Sequence, residues 1–435
     1  MARYPDRATG AMKALQFDRN VPRFAAARVA WALMGSGKGV RVGPLELVEI
    51  EPFELPGPGW VRLRPRLAGI CGSDLATLDG RSSRYFEQIA SFPFVPGHEV
   101  VGDVEGGPLD GRRAVIEPVL GCEARGIDPP CSSCAAGRKG SCERIAFGHL
   151  KPGLQTGYCR DTGGGWSAGL VAHESQLHEV PDELSDEAAV MVEPAACAVH
   201  AACAADITGG ERVMVLGAGT LGLCVIAALR ALFLPGALVA VAKHPHQRKL
   251  ARELGADQVV RPDEHKRAAR RLSGSLALES HDGNIERLTG GVDLVLDCVG
   301  SSDSLEQSLE VVRPGGRIIL VGMPGVVRVD LAPLWQREVE IRGAYAYGCE
   351  QRPEGPRSTF ELALELVREA GLGRLVSARY PLESYEDAVA HAAAAGRRGA
   401  VKIVFDLRKT GSPKDAPGAE GAEGTQLAMT TKEAK

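Results

Sequence analysis

Nowhere in the 435 residues is there a run of 18 uninterrupted apolar residues, so no membrane-spanning helix is expected. Excess positive charge is lacking too. Lys and Arg total 51 against 55 Asp and Glu, a formal net charge of −4. That balance excludes a strongly basic nucleic-acid binder, because neutralising phosphates needs clustered Lys and Arg in excess. The stretch Met1 to Ala11 carries Arg3, Asp6 and Arg7 and no apolar segment of the secretory kind, so a reducing cytoplasm is the expected compartment. There the 11 Cys serve as thiols or metal ligands rather than as disulfides. The last 28 residues, Arg408 to Lys435, hold no aromatic residue and no hydrophobic period, and read as a disordered tail. What the chain has in plenty is glycine, 53 residues, about 12% against a usual ~7%. Many turns and close backbone approaches follow. With 44% hydrophobic and 24% charged residues, the rest is ordinary for a globular protein of two or three domains.

From Met12 to about Pro181 the pattern is short strands and turns. Pro44 to Ile50 and Val61 to Ala68 alternate apolar and polar residues, and Val100 to Val104 and Arg113 to Ile116 add further short runs. Such strands separated by Gly and Pro predict a barrel-like β domain. After Glu187 the texture changes. Strands over Val213–Leu216, Leu238–Val241, Val292–Asp297 and Arg317–Val321 alternate with helices over Leu221–Leu232 and His246–Leu254. That alternation specifies a doubly wound parallel sheet. Residues 262–285 are polar and read as a helix with an inserted loop. Beyond Gly343 the alternation stops, and helices over Thr359–Glu369 and Tyr385–Ala395 lead to a closing strand, Val401–Phe405.

Gly217-Ala218-Gly219-Thr220-Leu221-Gly222 fits G-x-G-x-x-G. In so glycine-rich a chain the motif alone is weak. A strand before it and an apolar helix after it make it a pyrophosphate cradle at a helix N-terminus. A carboxylate for the ribose 2′-hydroxyl is expected about 20 residues on. The second strand instead ends Ala242-Lys243-His244, with Arg248 one turn further. A small residue followed by cations suits a 2′-phosphate, so NADP(H) is favoured over NAD(H).

Cys122, Cys131, Cys134 and Cys142 lie within 21 residues. Four thiolates favour a closed structural zinc site with no open position for chemistry. A second set, Cys71 in Gly69-Ile70-Cys71-Gly72-Ser73-Asp74 and His98 and Glu99 in Pro96-Gly97-His98-Glu99, offers a thiolate, an imidazole and a carboxylate. These could hold a catalytic zinc with one position free. Such a metal beside a nicotinamide polarises a carbonyl or lowers the pKa of an alcohol.

These motifs, with Glu193-Pro194 ahead of Val199-His200-Ala201, run in order from about residue 12 to 407. In them the chain resembles the zinc-dependent medium-chain dehydrogenase/reductase family. The resemblance implies an α/β chain with a GroES-like β-barrel catalytic domain and a Rossmann domain, and an active site in the cleft between them. The implied division is an extension over 1–11, the catalytic domain over 12–198, the Rossmann domain over 199–343, a return to the catalytic domain over 344–407, and the tail over 408–435. It carries zinc-ligand roles to Cys71 and His98, and a ligating or exchanging carboxylate to Glu99. Glu193 falls where the family has a further ligand, and Ser73 where a hydroxyl passes on the substrate proton. Two departures stand out. The first gap in the quartet is Cys-x8-Cys, where two residues are usual. The histidine that many members carry five residues after the ligand cysteine is Ala76 here.

The expected activity is hydride transfer between the nicotinamide and a secondary alcohol, polyol or sugar-like alcohol and its ketone. An aldehyde dismutase with tightly held cofactor is the alternative among enzymes. A catalytically silent nucleotide-binding regulator is disfavoured, because it has no need of the intact Cys71, Ser73, His98 and Glu99 set. Tyr85, Phe86, Phe92 and Phe94, between the two motifs, border the pocket or pack the core. The expected partners are a small alcohol or carbonyl substrate and copies of the same chain, as a homodimer or homotetramer, with neither nucleic acid nor membrane.

Overall fold

The computed structural model describes residues 10–281 and 286–408. Most of the expected extension and nearly all of the expected tail therefore lie outside the described residues.

The first half builds a sheet around the Cys71 and His98 motifs. Strand β1 (Met12–Phe17) pairs antiparallel with β2 (Leu45–Ile50). Between them lies helix α1 (Val21–Met34), where the sequence pattern had given only strands and turns. Its start is encoded locally: the Asn20 side chain accepts the Arg23 N–H at 3.1 Å and Pro22 follows the cap, which spends an orphan donor and pre-sets φ for the first turn. Strand β3 (Trp60–Gly69) feeds the short helix α2 (Gly72–Leu78), and β4 (Val100–Glu105), β5 (Arg113–Ile116), β6 (Leu170–His173) and β7 (Leu177–Glu179) complete this half. The inward residues of the strands meet in one core that includes Leu15, Leu63, Phe94 and Trp166.

Helix α3 (Val192–Ala204) follows, and the expected boundary at 198/199 falls inside it. Residues 186–204 form the one described segment long and apolar enough to cross a membrane, yet 72% of it is buried inside the molecule. It is a core helix packed on α4 (Thr220–Leu232).

The second sheet is wholly parallel. Its strands are β8 (Arg212–Leu216), β9 (Ala237–Val241), β10 (Gln258–Val260), β11 (Val292–Asp297), β12 (Val312–Leu320) and β13 (Glu340–Gly343). They lie in the order β10-β9-β8-β11-β12-β13, the doubly wound order whose direction reverses between β8 and β11. Apolar residues fill both faces, as a sheet covered by helices on two sides requires. Helix α5 (Pro245–Glu253) links β9 to β10. Part of the polar 262–285 stretch forms helix α6 (His265–Ser273), and a short strand, Ala277–Glu279, follows it. Residues 282–285 lie outside the described residues.

The chain then returns. After α7 (Ser302–Val311), which precedes β12, come α8 (Thr359–Glu369), β14 (Val376–Tyr380), α9 (Tyr385–Ala393) and β15 (Lys402–Asp406). Strand β15 pairs antiparallel with β3, so the last strand lies beside the one that ends at the Cys71 motif.

Candidate active site

Cys71 caps α2 from extended backbone, and the Asp74 carboxylate accepts the Cys71 N–H at 2.9 Å. This reciprocal cap fixes where the thiol points. Gly69, two residues earlier, has its N–H on the Glu99 carbonyl at 2.8 Å. That bond ties the Cys71 segment to the His98-Glu99 segment. A side chain at Gly69 is excluded, since its Cβ would lie 2.0 Å from Glu99 Oε2 and 2.8 Å from Lys402 Cε.

The ligand atoms of Cys71, His98 and Glu99 lie within 4.8 Å of one another. Both His98 and Glu99 are buried, at 4% and 1% exposure. Burial pushes His98 down, but Asp74, Cys71 and Glu193 together raise it well above the usual imidazole value. Asp74 Oδ1 stands 3.6 Å from His98 Nδ1, an outer carboxylate of the kind that orients a ligating imidazole. A thiolate, an imidazole and a carboxylate at this spacing fit a zinc ion with an open position.

Glu193, from α3, stands outside this group. Its Oε1 accepts the Tyr347 hydroxyl at 3.1 Å, with Cys197 Sγ at 3.6 Å. Burial pushes its carboxyl up to about 7, and nearby Glu99 adds to the rise. Ser73 is half-buried on α2. The Tyr158 hydroxyl reaches this helix, donating to Asp74 Oδ1 at 3.3 Å and lying 3.5 Å from Thr77 Oγ1. Phe94 packs on the Tyr158 ring at 5.2 Å and stacks on Phe17 at 5.1 Å. Phe92 joins that cluster, whereas Tyr85 is exposed.

Sequence reasoning missed Lys402, whose ammonium is fully buried and donates to the Glu99 carboxylate and to the Ile70 carbonyl. Burial works against the charge, but Glu99 and Cys71 hold its pKa above the usual value. A lysine inside the apolar run Ala400 to Phe405 was the signal. Tyr158 and Tyr347 had none, because nothing near them in sequence belongs to the site.

The cysteine quartet also assembles. All four sulfurs lie within 4.8 Å of one another, with Cys122 and Cys131 at 3.7 and 4.0 Å from Cys142. Tetrahedral Zn–S bonds of about 2.3 Å put sulfurs about 3.8 Å apart, so the set fits zinc. Cys122 joins in spite of its long gap because Arg125 folds that gap inward. Its fully buried guanidinium donates to the carbonyls of Leu120 at 3.0 Å and Gly153 at 2.7 Å, among others. Burial opposes a thiolate at Cys131, yet backbone and neighbouring thiol hydrogen bonds bring its pKa down to about 6.

At the switch point of the parallel sheet, Gly217 (φ +88°) turns the chain out of β8 and Gly219 caps α4, with Thr220 and Leu221 in its first turn. Gly222 passes so close to this turn that a Cβ there would lie 1.9 Å from the Gly217 carbonyl oxygen. A Cβ at Gly219 would meet nothing within 4 Å. The open backbone cradle at a helix start fits a dinucleotide pyrophosphate. Asp297, buried at the end of β11, shapes the facing wall by accepting the Val299 and Gly300 N–H groups at 2.9 and 3.1 Å. Beyond β9, Ala242 is wholly buried and Lys243 exposed. His244 caps α5, and Arg248 Nη1 donates to the Ala242 and Lys243 carbonyls at 3.3 and 2.8 Å.

Residues 57–182 match the alcohol dehydrogenase GroES-like domain family and residues 220–369 the zinc-binding dehydrogenase family. The chain is 29% identical to a sorbitol dehydrogenase of Arabidopsis thaliana, over 83% of this chain and 93% of that one. It is also 29% identical to an L-threonine 3-dehydrogenase of Pyrococcus horikoshii, over 83% and 95%. Among solved structures, a zinc-binding dehydrogenase from Sinorhizobium meliloti bound to NADP superposes with a TM-score of 0.64 at 25% identity, covering 91% of this chain and 99% of that one.

Proposed function

The chain belongs to the zinc-dependent medium-chain dehydrogenase/reductase family, and from that membership we propose that it interconverts a secondary alcohol of polyol or sugar-like type and its ketone with NADP(H). Zinc-dependent oxidoreduction with a nicotinamide cofactor comes with the family; the substrate class and the choice of NADP(H) are our reading. The observation that carries it is the clustering of half-buried Cys71 with buried His98 and Glu99, braced by Asp74 and Lys402. Zinc held there supplies a Lewis acid for the substrate oxygen, and the nicotinamide accepts or returns the hydride. Cys71 and His98 would hold the metal from two different segments, with Glu99 beside it and the Lys402 ammonium on the Glu99 carboxylate. Ser73 binds the substrate hydroxyl and takes its proton. Asp74 and Tyr158 keep that helix turn in place. Glu193, with Tyr347 on it, gives the pocket a polar wall, which suits a substrate with several hydroxyls. Relatives named as a sorbitol dehydrogenase and an L-threonine 3-dehydrogenase support a polar, hydroxyl-bearing substrate.

A panel of polyols, simple secondary alcohols and primary alcohols, assayed with each cofactor, tests this reading. Polyols or polar secondary alcohols should give the highest kcat/KM. Ser73→Ala should lose about 10²–10⁴-fold in kcat, the range for positioned proton transfer, while NADPH binding stays within twofold. A Ser73→Ala enzyme of full activity removes Ser73 from the mechanism, and turnover confined to primary alcohols or aldehydes overturns the substrate class.

A further inference from the structure

The end of β9 carries more positive charge than its own sequence supplies. The segment between α9 and β15 crosses to the parallel sheet and lies against this corner. The Gly396 backbone packs so closely on the His244 ring that a Cβ there would lie 2.5 Å from its Cδ2 atom. His246 Nε2 meets the Ala400 carbonyl at 3.2 Å, and Thr220 Oγ1 donates to the Val401 carbonyl at 3.4 Å. One strap of backbone therefore spans from the second-strand tip to the glycine cradle.

Two arginines sit on that strap, Arg397 and Arg398, both exposed. Among the described residues neither guanidinium makes a hydrogen bond or an ion pair. Burial lowers the His244 pKa first, and the charges that lower it further are His246, Lys243, Arg248 and Arg397. Arg398 acts instead on His391. Lys243 stands next to His244 in the chain, Arg248 bonds the Ala242 and Lys243 carbonyls, and Arg397 follows the Gly396 that packs on the His244 ring, so three cations adjoin one pair of stacked imidazoles. Like charges held together cost free energy unless an anion joins them.

We propose that Arg397 completes the cofactor's 2′-phosphate site from across the crevice, as a specificity-determining residue contributed by the strap that leads into β15. This rests on the NADP(H) reading given above. The phosphate would be held between Lys243 on the parallel sheet and Arg397 on the strap. A guanidinium suits this place because it can donate two parallel N–H groups to one phosphate.

The test uses the full-length, zinc-loaded protein and two fragments of the cofactor, 2′,5′-ADP and 5′-AMP, whose affinities are measured by calorimetry. Wild type should bind 2′,5′-ADP more tightly than 5′-AMP. Arg397→Ala should weaken 2′,5′-ADP about 5- to 20-fold, the loss of one charge-assisted contact at an exposed site, and leave 5′-AMP unchanged. Arg397→Lys should recover part of the loss, and Arg398→Ala should match wild type. Wild type without a preference for 2′,5′-ADP overturns the cofactor reading and this inference with it. A preserved wild-type preference that Arg397→Ala leaves unaltered overturns this inference alone. Equal losses in Arg397→Ala and Arg398→Ala also overturn it, because they report bulk surface charge.

Discussion

Asp293, near the start of β11, has Arg212 and Arg313 upon it. The Arg212 backbone N–H and side chain donate to Asp293 at 2.8 Å, and Arg313 Nε at 2.6 Å. Burial raises its pKa, but these bonds outweigh burial and hold it far below the usual carboxylate range. Glu193 and Asp74 go the other way, because burial meets no arginine there. Asp293, held down by arginines from β8 and β12, ties strands together, whereas Glu193 and Asp74 are buried beside the Cys71 and His98 group. Because the folded pKa of Asp293 lies below its unfolded value, its stabilisation is complete above about pH 4 and is lost as pH falls through the folded value. Asp293→Asn should therefore lose about 2–3 kcal/mol at neutral pH. Its deficit in thermal midpoint against wild type should shrink below about pH 4. An unchanged midpoint at pH 7 would deny Asp293 this role. At this scale the ligands themselves were legible, since Cys71, His98 and Glu99 stand in short motifs. Lys402 and Tyr158 were not, because they come from segments about 300 and 60 residues from His98.

The zinc loop and helix α1 show how much an element carries in its own sequence. Cys131-Ser-Ser-Cys134 can grip one ion from a single turn, and that much reads from spacing. Whether Cys122 joins depends on Arg125, whose buried guanidinium turns the eight intervening residues inward. We expect two zinc ions per chain. Cys131→Ser should remove one of them and destabilise the loop, because metal binding and loop folding are one equilibrium. Turnover per remaining zinc should change little. Metal analysis of protein prepared without chelators checks both numbers, and a wild-type content below two equivalents would count against the second site. Helix α1 escaped the strand-and-turn reading for a related reason. Its apolar residues lie on several faces, with Val29 and Leu33 exposed while Ala27 and Ala30 are buried, so no 3.6-residue period stands out. Only Asn20 and Pro22 announced its start.

Across the whole molecule, the last strand returns to pair with β3 after a strap that touches the glycine cradle through Thr220. That return brings Lys402 to Glu99 and the 396–401 strap to the cofactor crevice. At the end of β9, Ala242 is wholly buried and Lys243 exposed, so under the proposed NADP(H) reading Lys243 is the residue to test. Lys243→Asp should shift the kcat/KM ratio toward NAD(H) by about 10- to 100-fold, exchanging an attraction for a repulsion at the 2′-phosphate. A wild type that already prefers NAD(H), or an unaltered ratio in the variant, would show that this corner does not read the phosphate. By itself the sequence determined the alternation of strands and helices, the glycine cradle and both sets of metal donors. Each of these depends on neighbours a few residues apart, whose geometry local backbone preferences fix. Only the tertiary structure decided that Glu193 stands back from the Cys71 group and that Lys402 faces Glu99. It alone placed the 396–401 strap beside His244. Those juxtapositions depend on which strands pair after long excursions of the chain, and that pairing is set by burying two cores at once rather than by any local run of residues.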